Sequence, residues 1–186
     1  MDTAAGSPAV TVREAGPEQR PVIERLVQLY RHDMSEFLGH LPGDDGLFTF
    51  RQLPLFFSEP DRRALLIHHG PTLAGFALTR PLPDGATSIS AFFVVRALRR
   101  HGVGLRAALE LLRSRPGPWA IAFQQANAGA GRFWRQVAGA AVGTAWSEEQ
   151  RPVPPPAPPG LPPDVWILLD TGPSASPAST SAPASG

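Results

Sequence analysis

Arg99, Arg100 and His101, followed by Gly102-Val103-Gly104, are the residues of this chain whose types and spacing best suit chemistry. They lie between an apolar run, Ile89 to Val95, and a helix-like run, Leu105 to Leu112. A strand that feeds a short glycine loop and then a helix leaves the first N–H groups of the helix unpaired. The helix dipole adds partial positive charge at the same place. Glycine lets backbone approach a ligand closely, and the arginines and histidine add donors. The combination is a cradle for phosphate.

Composition limits which phosphate and which partners. The 186 residues suffice for one domain with a sizeable core. A net charge of +1 gives no global footprint for nucleic acid. There is no cysteine, which excludes disulfides, thiolate metal sites and a cysteine nucleophile, and suits a reducing cytoplasm. All 17 Lys/Arg-class side chains are arginine, so no lysine serves as Schiff-base former, base or P-loop cation. Residues 1–8 show no basic-then-apolar leader, and no apolar run nears the roughly 18 residues of a membrane span. A cytoplasmic protein with neither membrane nor nucleic acid as partner is expected. His68-His69 is a poor metal pair, because adjacent strand residues point to opposite faces; no metal is expected.

The elements that must position the cradle follow from patterning. Ala9 to Glu14 alternates as a first strand. Pro17 opens a long helix whose stripe is Val22, Ile23, Leu26, Val27, Tyr30, Met34 and Phe37, with Gly39 as its stop. A turn-rich loop follows at Pro42 to Gly46, then bulky residues from Phe50 to Phe57 suggest a short helix. Ala64 to His68 and Thr72 to Thr79 read as a hairpin about Gly70-Pro71. Thr87 to Val95 is the fourth strand, and Leu105 to Arg113 the helix after the loop. Trp119 to Gln124, Val142 to Trp146 and Val165 to Leu169 are further strands, with a helix at Ala128 to Val137. The expected organisation is a flexible N-terminus over residues 1–8 and one domain over 9–170. A proline-rich loop at 152–163 interrupts that domain, and a disordered tail occupies 171–186.

Gly102-Val103-Gly104-Leu105-Arg106-Ala107 also matches a dinucleotide fingerprint. That fingerprint needs its glycines at the strand end and an acid near the next strand end. Here Arg96 to His101 intervenes, Phe123-Gln124-Gln125 offers no acid, and hairpins argue against a parallel sheet.

The pattern Arg99-x-x-Gly102-x-Gly104 resembles the pyrophosphate loop of the GNAT superfamily of acyl-CoA-dependent N-acyltransferases. Phe92-Phe93-Val94-Val95 resembles that superfamily's fourth strand, and Leu73 to Leu78 its third, which typically carries Gly-Phe. Trp119 to Gln124, Asn127 and Phe133-Trp134-Arg135 are similar to its fifth strand and following helix. Tyr30 to Phe37 looks like the first helix of an uncharacterised bacterial subgroup. The resemblance implies an α/β (α+β) domain with a mixed, mostly antiparallel sheet, splayed between strands four and five and flanked by helices. It implies acetyl-CoA as acyl-donor cosubstrate and a small-molecule or peptide amine as acceptor, in a monomer or homodimer. Val95 would offer backbone to pantetheine. Arg100, Gly102, Val103 and Gly104 would offer N–H groups to pyrophosphate, with Arg99, Arg106, Asn127 and Trp134 completing the cofactor site.

The resemblance breaks at the acid and base. Many members carry a glutamate where this chain has Ser90-Ala91, and a tyrosine where it has Trp134; its only tyrosine is Tyr30. His32, Asp33 and Glu36 are the replacement candidates. Asp33 and Glu36 are three apart and His32 and Glu36 four apart, so they share one side of the first helix, and Asp33 and Glu36 are the pair expected to act in catalysis. A non-catalytic acyl-CoA-binding module is the alternative that these losses suggest.

Overall fold

The computed structural model describes residues 8–153 and 162–173. The elements run β1 (Val10–Glu14), α1 (Arg20–Leu38), β2 (Arg63–His69), β3 (Thr72–Pro81), β4 (Thr87–Val94), α2 (Val103–Ser114), β5 (Pro118–Phe123), α3 (Ala128–Val142), β6 (Trp146–Arg151) and β7 (Asp164–Asp170). The α1 stripe buries Ile23, Leu26 and Val27, as its spacing requires. Gly39 ends that helix at φ +63°, with its N–H donating to Ser35 O at 2.9 Å.

The seven strands form one sheet in the order β1-β2-β3-β4-β5-β7-β6. Every neighbouring pair is antiparallel except β4 and β5. Those two parallel strands pair only at Thr87↔Trp119 and Ser88↔Ala120. Beyond Ser88 no ladder joins them among the described residues, so the expected splay is present.

The sheet separates two cores. On one face α1 and the 3-10 turn Leu53–Phe57 cover Leu66, Phe76, Leu78, Ala91 and Phe93. On the other, α2 and α3 cover Ala77, Ile89, Trp119, Ile121, Phe123, Val165, Ile167 and Leu169. Alternation along each strand assigns these faces.

Two sequence expectations need correction. The strand expected at Val142–Trp146 is not formed: α3 continues through Gly139-Ala140-Ala141 to Val142, and Gly143 stops it at φ +65°. The strand lies instead at Trp146–Arg151, an exposed edge without apolar alternation. Its partner β7 creates it, and local periodicity carries no trace of that pairing. The bulky run Phe50–Phe57 folds only as the 3-10 turn at Leu53–Phe57. Residues 1–7, 154–161 and 174–186 lie outside the described residues, with most of the expected flexible N-terminus, proline-rich loop and tail. Among the described residues no helix is long and apolar enough to cross a membrane.

Candidate active site

The cradle is built from backbone. Arg100 (φ +66°) and Gly102 (φ +73°) are both left-handed, and Gly102 is the N-cap of α2. Alternating handedness of this kind turns successive N–H groups toward one side. Arg106 N–H is the first to find an intrahelical carbonyl, Gly102 O at 3.0 Å. Among the described residues the N–H groups from Arg100 to Leu105 meet no acceptor. Arg106 folds back over this loop, its Nη2 at 3.5 Å from His101 O. Gly104 lies below it in ordinary packing. A Cβ there would lie 3.4 Å from the Phe133 ring and 3.8 Å from Val94 Cγ2.

The end of β4 lies against β3 and away from β5. Gly75 on β3 pairs with Val94, and a Cβ on Gly75 would overlap the Phe93 carbonyl outright, 2.9 Å from its carbon and 3.0 Å from Val94 Cα. The glycine is what allows so close a backbone approach. Val95 N–H donates to Ala74 O at 2.9 Å, and Val95 C=O accepts from Leu98 N–H at 3.0 Å. Both backbone groups of Val95 are therefore engaged. Antiparallel alternation from the Val95–Ala74 bond aims the backbone groups of Phe92 and Val94 into the splay.

Arg99 and Asp33 hold this end in place. Arg99 Nε donates to Val94 O at 2.7 Å, and its guanidinium lies 5.4 Å from the Phe93 ring centroid. Asp33 accepts from Arg99 Nη2 at 2.5 Å and from Arg96 Nη2 at 2.6 Å. Partial burial alone raises the Asp33 carboxyl, but hydrogen bonds from Arg96 and Arg99 and the charges on both outweigh it and hold the group below its ordinary value. A carboxylate so stabilised is a weak proton acceptor. Glu36, also expected at the site, is exposed on the same helix and adds its charge to the field at Arg96.

Asp33→Ala is expected to cost about 1–2 kcal/mol, as for one partly buried charged hydrogen-bond set. The melting temperature should fall by about 2–8 °C. Because the folded pKa is lowered, this stabilisation is present above the unfolded carboxyl's pKa and lost as pH falls through the folded one. Thermal melts of both proteins across the acid range should show the gap closing as pH falls. A gap that persists below the carboxylate range would contradict the ion-pair account.

The other expected site residues lie on the far lip of the splay. Asn127 caps α3, its Oδ1 accepting from Ala130 N–H at 2.9 Å. Trp134 is buried, and its ring meets Phe133 at 4.8 Å and Phe92 at 5.3 Å. Phe92 in turn stacks on Phe133 at 5.7 Å. This aromatic cluster joins α3 to β4 where β5 has turned away. Two open clefts lie elsewhere. One of about 610 Å³ sits where β5 begins, against Trp119, Trp146 and Leu168. One of about 490 Å³ runs between the start of α3 and β6, past Arg132 and Arg135. Sequence reasoning missed Gly75 as a close-approach residue, although an interior strand glycine is the signal for one.

A splayed parallel pair with a helix N-terminus at its mouth is the architecture of an acyl-CoA-dependent acyltransferase. A model of the acetyltransferase (GNAT) family matches residues 23–140, and the chain belongs to that family. An acetyltransferase from Thermus thermophilus superposes with a TM-score of 0.63 at 17% identity, over 87% of this chain and 97% of that one. Aminoglycoside acetyltransferase AAC(6')-Ib in complex with coenzyme A and kanamycin gives 0.62 at 12% identity, over 87% and 95%. RimL, the ribosomal L7/L12 alpha-N-protein acetyltransferase, in complex with coenzyme A, gives 0.58 at 14% identity, over 91% and 98%. No curated protein sequence matches this chain.

Proposed function

We propose that this GNAT-family acetyltransferase moves an acetyl group from acetyl-CoA to a small-molecule or peptide amine by direct attack. The observation that carries the reading is a coincidence of place. The unpaired N–H groups from Arg100 to Leu105 and the unladdered edge of β4 lie at the same end of the sheet. A pyrophosphate suits the first, and pantetheine, an amide-bearing extended chain, suits the second. The structural neighbours with coenzyme A in their complexes support the same cosubstrate.

The N–H groups of Arg100, Gly102, Val103 and Gly104 hold the pyrophosphate, with Arg106 above them. Phe92 supplies backbone to pantetheine, with Val94 and Val95 at the end of that edge. Asn127 and the rings of Phe133 and Trp134 form the opposite wall. The Val94 N–H is placed to donate to the thioester oxygen as it gains charge. Arg99 and Asp33 act as positioning residues. They anchor Val94 O, and so fix the direction of the strand end that carries that donor.

Ligand-induced stabilisation tests the reading. Acetyl-CoA or CoA at about 100 times its dissociation constant adds roughly 2.7 kcal/mol to the folded state. That corresponds to a rise of about 5–10 °C in melting temperature. NADH should produce almost none. Free thiol should then appear when acetyl-CoA and a panel of primary amines are supplied. A shift with NADH and not with acetyl-CoA overturns the reading, and CoA binding without thiol release favours a non-catalytic module.

A further inference from the structure

At the end of the sheet away from the cradle, the ladder of β2 and β3 runs out in two arginines. Ala64 of β2 pairs with Leu78 of β3, and both face the α1-side core. Arg63 pairs with Thr79 on the other face, so the next pair, Arg62 with Arg80, returns to the α1 side. Residues opposed in this way hold their Cβ atoms about 4.5–5.5 Å apart, and like charges there are unfavourable. On its other side Arg80 pairs with Ser88 of β4, which is itself still laddered to Ala120 of β5. The sheet is closed here, and the splay lies further along β4.

The two guanidiniums are unequally provided for. Arg62 Nε donates to Glu59 at 2.5 Å, and its guanidinium lies 5.5 Å from the Phe56 ring, against the 3-10 turn. Its Nη1 is nonetheless buried with no hydrogen bond among the described residues. Arg80 is partly buried. Burial and the Arg62 charge both push its guanidinium below its ordinary value, and among the described residues no carboxylate offsets them. Glu59 cancels one of the two positive charges and leaves the other. A partly buried cation set against a second one, beside an orphaned donor, is costly unless an anion joins them.

We propose that Arg80 and Arg62 form a binding site for the carboxylate of a small molecule, separate from the acetyl-transfer end of the sheet. The inference does not depend on the acetyl-transfer reading. One carboxylate balances the remaining charge. Its two oxygens match the fork of the Arg80 guanidinium and leave lone pairs for the unused Arg62 Nη1. A phosphate dianion would set a second negative charge against Glu59. Ser88 adds a hydroxyl on the same face, since Ile89 after it fills the opposite core.

Thermal melts of wild type, Arg80→Gln and Arg80→Lys test the site, in sodium acetate, sodium chloride and sodium phosphate of equal ionic strength. At about 20 times its dissociation constant, acetate should raise the wild-type melting temperature by about 4–7 °C over chloride. Arg80→Gln should lose this gain, and in chloride it should melt close to wild type, because the change removes a like charge from beside Arg62. Arg80→Lys keeps the charge without the fork and should keep only a smaller part of the gain. General salt effects act on all three proteins alike, so the difference between them reads the site. CoA-induced stabilisation should be equal in all three, because the cradle is at the other end of the sheet. No gain in wild type, or an equal gain in Arg80→Gln, overturns the site. A larger gain with phosphate than with acetate, lost in Arg80→Gln, overturns the carboxylate assignment. A CoA response that differs among the three overturns the separation from the cradle. If Arg80→Gln does not fold, the full wild-type gain in Arg80→Lys overturns the role of the fork.

Discussion

Gly75→Ala should destabilise the protein by at least about 3 kcal/mol, the upper end of what overpacking usually costs. The added methyl would fall on the Phe93 carbonyl and beside Val94 Cα. These are backbone atoms of a strand paired on that side, so no side-chain rotation relieves the overlap. The two strands must separate, and the Val95 to Ala74 hydrogen bond at 2.9 Å goes with them. At about 2–4 °C per kcal/mol for a chain of this size, the melting temperature should drop by about 6–12 °C. Separation of β3 from β4 also narrows the gap between β4 and β5, so surviving folded protein should bind CoA more weakly. Chemical denaturation of Gly75→Ala and wild type measures the first effect. A difference under about 1 kcal/mol would mean that the strands do not approach as described.

The second large effect falls on affinity. Gly104→Val should weaken CoA binding by about 100-fold, close to 2.7 kcal/mol. A Cβ at Gly104 makes ordinary contact, 3.4 Å from the Phe133 ring, so alanine should be tolerated there. Valine adds two methyls at the first turn of α2, where a pyrophosphate must approach the N–H groups closely. Gly102 behaves differently. At φ +73° any side chain is strained, so even Gly102→Ala should lower stability, by about 1 kcal/mol. Isothermal titration with CoA, run beside thermal melts, separates the two sites. If Gly104→Val binds CoA like wild type, the phosphate site lies elsewhere.

The amino-acid sequence by itself determined most of the elements and the loop that joins β4 to α2. The stripe from Ile23 to Val27, the Gly70 turn and the run from Arg99 to Gly104 act over a few residues, and local sterics and periodicity are enough to specify them. The order of elements around that loop also carried the family resemblance. Tertiary structure alone decided what depends on contacts distant in sequence. Arg99 reads as a phosphate donor in isolation, but its guanidinium is shared between Val94 O and Asp33, 66 residues away. Val95 reads as free strand backbone, yet Ala74 and Leu98 take both of its groups. β6 has no apolar alternation, because β7 supplies its pairing and solvent its other side. Asp164, preceded by prolines and followed by a short strand, carries no local signal at all. Its partial burial comes from β5 and β6 on either side, and among the described residues no cation lies at salt-bridge distance from it. A pKa and an ion pair depend on which groups the fold brings within a few ångströms, and spacing along the chain does not encode that.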